Sequence, residues 1–579
     1  MTLAQASDSN NIFKHKVLGH PAGLFILFFT EMWERFSYYG MRAILVMFLT
    51  SSLMDGGWGW ERKNALALYG TYTSMVYLTP LIGGYIADKF LGHRKAVLLG
   101  AFIMMCGHAS MAMDVPVFLY IGLFCLIVGN GFFKPNMTSM VSKMYANFPE
   151  KKDGAYTIFY MGVNSGAFLG MMLCGYLGEK ISWGLGFGLA GIFMFFGLIM
   201  FYLAQGIFGD IGSKPTNTGN ETIAAEDKDK RNPFTMMDQI LIGITALTAL
   251  VWVINDPMSK IYNTNIFGNS TNAGYAILFA LALFLYILFS RIIRYSPTTR
   301  DRMFAILIIA FFYMLFWASF EQAGGSMTIF AKDYMDRSLT GNFGFMFKVF
   351  NSLLTIIPLG IITWVLFKLC LSTYSNYKKS NIILTVSFMF IWGIVIWMLK
   401  REFGLEKSEV TASWFSILNS FFIIALGQVF SKIWESKYNP PGAYKYAIGL
   451  IFLGLGFYSL SYGSSSIPLG AKTASVSIIW LVFAYFFHTV GELCISPVGL
   501  SYVSKLAPAR MIAIMFGIWY LAIAIGNKLA GTMGGEIDAI CNEHGLSYFF
   551  LIFTLVSIGA AVLIFLLHPV LKKLMHGVK

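Results

Sequence analysis

Runs of about 20 predominantly apolar residues recur along almost the whole chain, and an α-helix needs that length to cross a hydrocarbon core of roughly 30 Å. Their number excludes an isolated membrane anchor. Composition agrees: with 57% hydrophobic and 12% charged residues among 579, and a mean hydropathy of +0.65, the chain has more apolar surface than a water-soluble fold can bury. The net charge of +13 arises from Lys and Arg in short tracts between apolar segments. Nucleic acid would require a dense basic face, whereas membrane orientation accounts for tracts of this kind. The six cysteines are scattered without Cys-x-x-Cys spacing, and Cys106 and Cys174 fall inside apolar runs, so neither a metal site nor a disulfide framework is expected. The first 20 residues are polar and lack an apolar signal core, which reads as an uncleaved cytoplasmic tail.

Hydropathy and turn residues place the first six spans at roughly 21–49, 65–86, 96–113, 117–144, 155–178 and 183–203, a complete six-helix half. A polar stretch from Gly209 to Pro233, with Lys214, Lys228, Lys230 and Arg231 among acids, reads as a cytoplasmic linker. Two helices near 236–254 and 273–293 then lead to a basic loop holding Arg291, Arg294, Arg300 and Arg302. The second half opens near Met303, with spans at roughly 303–323, 347–371, 382–399, 413–433, 444–460, 475–503, 511–533 and 546–567, two more than a half needs. Lys89, Arg94 and Lys95, Lys151 and Lys152, Lys378 and Lys379, Lys432 and Lys437, Lys505 and Arg510, and Lys572 and Lys573 all fall on one side of this count. Asp55, Glu61, Glu536, Asp538 and Glu543 fall on the other. Both termini are therefore expected to be cytoplasmic.

An ionisable residue at the centre of a membrane helix costs about 2.5–3.5 kcal/mol on insertion scales, so it normally lines a cavity, pairs, or carries protons. In the first span Glu31, Glu34 and Arg35 stand three and four residues apart, which puts both carboxylates and the guanidinium on one helical face, and Arg42 extends the stripe. Lys134 sits in the fourth span, Glu321 ends the apolar part of the seventh, and Glu492 lies in an apolar run further on. The bland alternative for the first-span trio is a self-neutralised cluster that only fixes helix packing. Tyr38, Tyr39, Tyr77, Trp317 and Trp519 are individually weak signals, because 17% of the chain is aromatic. His488, four residues before Glu492, is a candidate proton relay or a plain core histidine.

Glu31, Glu34, Arg35, Tyr38, Tyr39 and Gly40 form a run that resembles the first-helix signature of the proton-dependent oligopeptide transporters. Gly83, Gly84 and Asp88 through Gly92, Arg94 and Lys95 are similar to the general loop between helices two and three of the major facilitator superfamily. Gly129, Asn130, Gly131, Lys134, Pro135 and Asn136, the stretch Tyr160 to Asn164, Phe316, Trp317, Glu321 and Gln322, and Gly491, Glu492, Ser496 and Pro497 continue the likeness in family order. The segment Ala412, Trp414, Phe415 and Asn419 resembles the family's eighth helix, which identifies the spans near 347–371 and 382–399 as an inserted hairpin. The pair near 236–254 and 273–293 matches extra helices common in bacterial members. The resemblance implies an all-α polytopic membrane protein of the major facilitator fold, with two six-helix bundles, two extra helices between them and a two-helix insertion between helices 7 and 8. Its domains are 1–208, a linker and two helices over 209–300, and 301–579 with the insertion at about 338–408. Two departures stand out: the loop around Ser464 to Ala474 is short, unlike animal members, and the second helix carries no His.

The family pattern implies secondary active import of di- and tripeptides across the cell inner membrane, driven by protons, with no other cofactor. Arg35 and Lys134 would meet the peptide carboxylate, Glu492 its amine, and Asn164 and Asn419 its backbone, while Tyr38, Tyr39, Tyr77, Trp317 and Trp519 complete the binding set. Lys134 with Glu492 and Arg42 with Glu321 would hold the two gates, and Glu31, Glu34 and Glu321 would carry protons. Asp88 and Arg94 would act in a conformational loop; positive-inside decoration is the alternative. A monomer in contact with lipid is expected. The rivals are a carrier of nitrate or another small solute, for which Glu492 is an obstacle, and a peptide-sensing receptor that moves nothing. No metal cluster, placed nucleophile or nucleotide loop supports an enzyme.

Overall fold

In the computed structural model the structure describes residues 14–214, 232–437, 439–508 and 511–578. The first part of the expected tail, the linker residues Lys228, Lys230 and Arg231, and Arg510 lie outside the described residues. The chain is built of helices: α1 Ala22–Thr50, α2 Arg62–Ile86, α3 His93–Met111, α4 Pro116–Met144, α5 Pro149–Lys180 and α6 Trp183–Ala204. Next come α7 Met236–Ile261, α8 Ser270–Ile292, α9 Pro297–Phe320, α10 Ser326–Asp333 and α11 Gly341–Gly404. The last are α12 Ile417–Glu435, α13 Gly442–Gly463, α14 Ile479–Leu506, α15 Ile512–Gly534, α16 Ile537–Glu543, α17 Leu546–Leu566 and α18 His568–Leu574. Among the described residues, 12 helical stretches are long and apolar enough to cross a membrane.

Local chemistry sets several of the ends. Proline opens α4, α5 and α9, where its missing N–H has no partner to lose. At α7 the Thr235 hydroxyl accepts from Asp238 N while the Asp238 carboxylate accepts from Thr235 N, and Asp238 also pairs with Arg291 of α8 at 2.7 Å. These contacts close α7 and α8 into a hairpin. The run α11 is two helices meeting at Tyr377, whose φ of −125° and ψ of 39° break the regular geometry.

The residues fall into two compact units. Unit 1 comprises Met1–Trp58, Leu78–Asn217 and Met335–Phe421. In it α1 packs on α5 and α6, and α3 packs on α4. Glycines let the backbones touch: a Cβ at Gly162, Gly166 or Gly170 would lie 2.9, 2.1 or 2.2 Å from the carbonyl oxygens of Phe28, Met32 and Phe36. With no hydrophobic drive between helices in lipid, this small-residue contact holds the pair together by dispersion. The hairpin α11 lies on α6 and α1 through rings, with Phe388 5.7 Å from Phe29 and 5.6 Å from Trp33, and Phe390 5.9 Å from Phe193.

A polar junction closes the base of that hairpin. Strand residues Ser338–Leu339 pair antiparallel with Ser408–Glu409. Glu409 bonds Lys180 at 2.5 Å and Arg337 at 2.9 Å, while the Glu179 carboxylate accepts from the backbone N–H groups of Ala412 and Ser413, both at 2.8 Å. Higher on the same face the Tyr176 hydroxyl donates to the buried Glu402 at 2.7 Å.

Unit 2 comprises Gly59–Tyr77, Thr218–Tyr334 and Phe422–Lys579. Here α13 packs on α14 and α17, and α9 packs on α14 and α15. Gly491 of α14 faces the Gly449 carbonyl of α13, 2.6 Å from where its Cβ would stand. A Cβ at Gly70 of α2 would stand 2.8 Å from the Gly531 Cα of α15.

Candidate functional site

Helix α1 runs through unit 1 with nearly all its side chains buried, so its charges must satisfy one another or their neighbours. Glu31, Glu34 and Arg35 are 3%, 0% and 4% exposed. The Arg35 Nε donates to Glu31 Oε1 at 2.8 Å and stands 2.9 Å from Glu34 Oε2. From α4, Asn130 Nδ2 donates to Glu34 Oε1 at 3.2 Å, and the half-buried Lys134, one turn further, bears electrostatically on the same carboxylate. The stripe continues outward: the Arg35 guanidinium lies 5.9 Å from the Tyr38 ring centre and that of Arg42 lies 5.9 Å from Tyr39. Two carboxylates and two cations thus share a water-poor patch in which moving one proton changes the balance of the whole group.

Asn164 of α5 is buried and donates to the Tyr160 carbonyl of its own helix at 3.0 Å. Asn419 lies near the start of α12, half-buried. Asp88 sits in the turn Ala87–Leu91, 3.6 Å from His93, which in turn bonds Asn136 at 2.7 Å. Arg94 donates to the Gln205 carbonyl at 3.3 Å and to the Ser213 hydroxyl, so the loop is strapped to the segment after α6. Gly92, at φ 78°, lets the chain turn there; a Cβ would stand 2.7 Å from Ser213.

In unit 2 Trp317 lies on α9 one turn before Glu321, which is 2% exposed in the 3-10 turn Glu321–Gly324. The Trp317 ring is 6.3 Å from Tyr77, and Trp519 stacks on Tyr313 at 4.2 Å and 24°. Glu492 is half-buried on α14 and acts electrostatically on Tyr313. The His488 ring packs 4.5 Å from Phe457.

Sequence reasoning passed over several polar residues that the structure gives partners. Asp256 of α7 pairs with Lys260 at 3.1 Å and with Lys528 of α15, which also donates to Thr71 at 2.7 Å. Both Asp256 and Lys528 are charges in apolar runs, the same signal that singled out Lys134. Arg62, at the start of α2, bonds Asp333 and Asp538, each at 2.7 Å, and the Tyr334 hydroxyl at 2.9 Å. Asn130, named above only as part of a motif, and Tyr313 carry no charge that would single them out.

Residues 94–400 and 372–545 match the profile of the POT family. The chain is 30% identical to the uncharacterised transporter YclF of Bacillus subtilis over 97% of its own length and 96% of the relative's. It is also 30% identical to the peptide transporter YePEPT of Yersinia enterocolitica, over 96% of each. Among solved structures it resembles a peptide transporter POT in complex with sulfate, at 26% identity and a TM-score of 0.71 over 100% of both chains. A POT family transporter in complex with 5-aminolevulinic acid matches at 26% identity and 0.71, over 98% of this chain and 100% of that one. A fold shared end to end, a profile reaching across most of the chain and a first helix with paired acids around an arginine converge: the chain belongs to the POT family of membrane transporters.

Proposed function

We propose that the protein is a secondary active symporter that imports di- and tripeptides across the cell inner membrane with protons, by alternating access, with both termini cytoplasmic. The observation that carries this reading is the buried constellation of Glu31, Glu34 and Arg35 with Asn130 and Lys134. Ionisable side chains at such a place normally serve a pathway. A short peptide is a zwitterion with an invariant backbone, so its ends are the features a tolerant carrier must grip. Arg35 and Lys134 offer cations to the carboxylate, Glu492 an anion to the amine, and Asn164 and Asn419 amides to the backbone. Tyr38, Tyr39, Tyr77, Trp317 and Trp519 supply apolar and aromatic surface that accepts varied side chains. Lys134 with Glu492, and Arg42 with Glu321, are proposed as gate pairs that protonation of the acid releases. The cycle rocks two bundles, 1–208 and 301–579, with the stretch 209–300 between them. The carrier works as a monomer, and protons are its coupling ion.

Liposomes with an inward proton gradient test this directly through uptake of labelled dialanine. Wild type is expected to accumulate the peptide and to lose accumulation with a protonophore. Losing one charged contact to a peptide end costs about 1.5–3 kcal/mol, so Glu492→Gln and Lys134→Ala should each lower uptake by roughly tenfold or more. Peptide binding by folded wild type without any accumulation would identify a receptor instead, and uptake of nitrate but not dialanine an anion carrier.

A further inference from the structure

Glu31 and Glu34 share Arg35, but they differ in one neighbour. Glu34 is the one that meets the Asn130 side chain, with Nδ2 3.2 Å from its Oε1. Asn130 is itself 1% exposed, and its carbonyl oxygen Oδ1 is buried with no hydrogen-bond partner among the described residues. An orphan acceptor in a dry interior is costly and calls for a reason. A carboxylate only accepts hydrogen bonds, whereas a carboxylic acid also donates one, and an amide presents a donor on one side and an acceptor on the other.

We propose that Asn130 is a positioning residue for Glu34 in both of its protonation states: Nδ2 donates to the carboxylate, and after a half-turn of the amide Oδ1 accepts from the acid. Glu34 then keeps a hydrogen bond with Asn130 whether it is ionised or protonated, the amide turning whichever end the carboxyl group needs. No bond other than O–H is made or broken, and the proton comes from and returns to the translocation pathway. The inference rests on the proton-symport reading above. The charged groups around Glu34 are Arg35 and Glu31 on α1 and Lys134 on α4. Helix α6 has no Asp, Glu, Lys, Arg or His. Those of α5 lie near its two ends, at Glu150, Lys151, Lys152 and Asp153 and at Glu179 and Lys180. Helix α11 meets α1 through Phe388. An uncharged amide thus stands where another charge would fix Glu34 in one state.

The full-length protein in liposomes gives the test, with gradient-driven dialanine uptake measured against external pH and gradient-free counterflow exchange measured beside it. Asn130→Leu keeps the bulk and removes the amide. Bonds to an ionised partner are the stronger ones, so its loss should move the alkaline limb of driven uptake to higher pH and lower driven uptake by about tenfold. Counterflow should stay within about twofold of wild type, since exchange needs no net proton movement. Asn130→Gln, with the same amide on a longer arm, should restore part of the driven uptake; if the Leu variant does not assemble, Asn130→Ala takes its place, and a pH profile for it identical to wild type overturns the proposal. So does a superimposable profile for Asn130→Leu, or a parallel fall of driven uptake and counterflow, which is the mark of a structural role. Absence of driven uptake in wild type itself would instead remove the symport reading, a result distinguishable from all of these.

Discussion

Gly166 stands against α1 so closely that any Cβ would lie 2.1 Å from the Met32 carbonyl oxygen, and backbone cannot yield as a side-chain tip can. Overpacking of this kind costs about 1–3 kcal/mol, so Gly166→Ala should lower the thermal midpoint in detergent by several degrees. Gly243→Ala, with nothing within 4 Å, should leave it unchanged. The charges of the site were legible residue by residue because a charge in an apolar run stands out against its surroundings. The pairing of Arg35 with Glu31 follows from helical spacing alone. The partner from another helix did not, since no pattern along α4 says that Asn130 faces Glu34. Likewise the four-residue spacing of Gly162, Gly166 and Gly170 is visible in the sequence, but what they touch is not. For His488 the spacing leaves a relay to Glu492 and a core histidine both open, and the ring's contact with Phe457 is visible only in the structure.

Whole helices were read with unequal success, for a physical reason. Hydropathy located α1 at roughly 21–49 against an observed Ala22–Thr50, and α4 at roughly 117–144 against Pro116–Met144. It shortened α5, read as roughly 155–178, because the helix continues through polar residues to Pro149 and Lys180. The hairpin read as spans 347–371 and 382–399 is a longer run, Gly341–Gly404, kinked at Tyr377. What the sequence could not convey is where that hairpin lies, or that Glu409 and Arg337 knit its base to the end of α5. Burial works against the charge on Glu409, but the hydrogen bond from Lys180 and the charges of Arg337 and Lys180 outweigh it and hold the carboxyl below its usual range. A group depressed in this way adds stability that is present above the ordinary carboxyl value of 4.5 and is lost as pH falls through the lowered folded value. Thermal midpoints of wild type and Glu409→Gln should therefore differ at neutral pH and converge in acid below about pH 4.5. Parallel curves across that range would mean that the junction does not sense the Glu409 charge.

At the scale of the molecule, membrane character follows from the apolar runs, and the family from motifs spread over both halves. Sidedness rests on the basic tracts, and fusions at defined points test it. Green fluorescent protein after Lys579 should fluoresce and alkaline phosphatase inserted after Asp55 should be active; the reverse pattern would invert the proposed orientation. The compact units do not coincide with the two halves of the chain, because Met335–Phe421 belongs with the earlier helices and the first part of α2, to Tyr77, with the later ones; Pro80 interrupts the ladder of α2 just beyond that point. Thr71 is bonded to Lys528, and Gly70 is fitted to Gly531, so residues from opposite ends of the gene depend on one another as matched sets. Recombination between diverged relatives at the linker would separate those sets, and a chimaeric gene would inherit a helix shaped for a neighbour it no longer encodes.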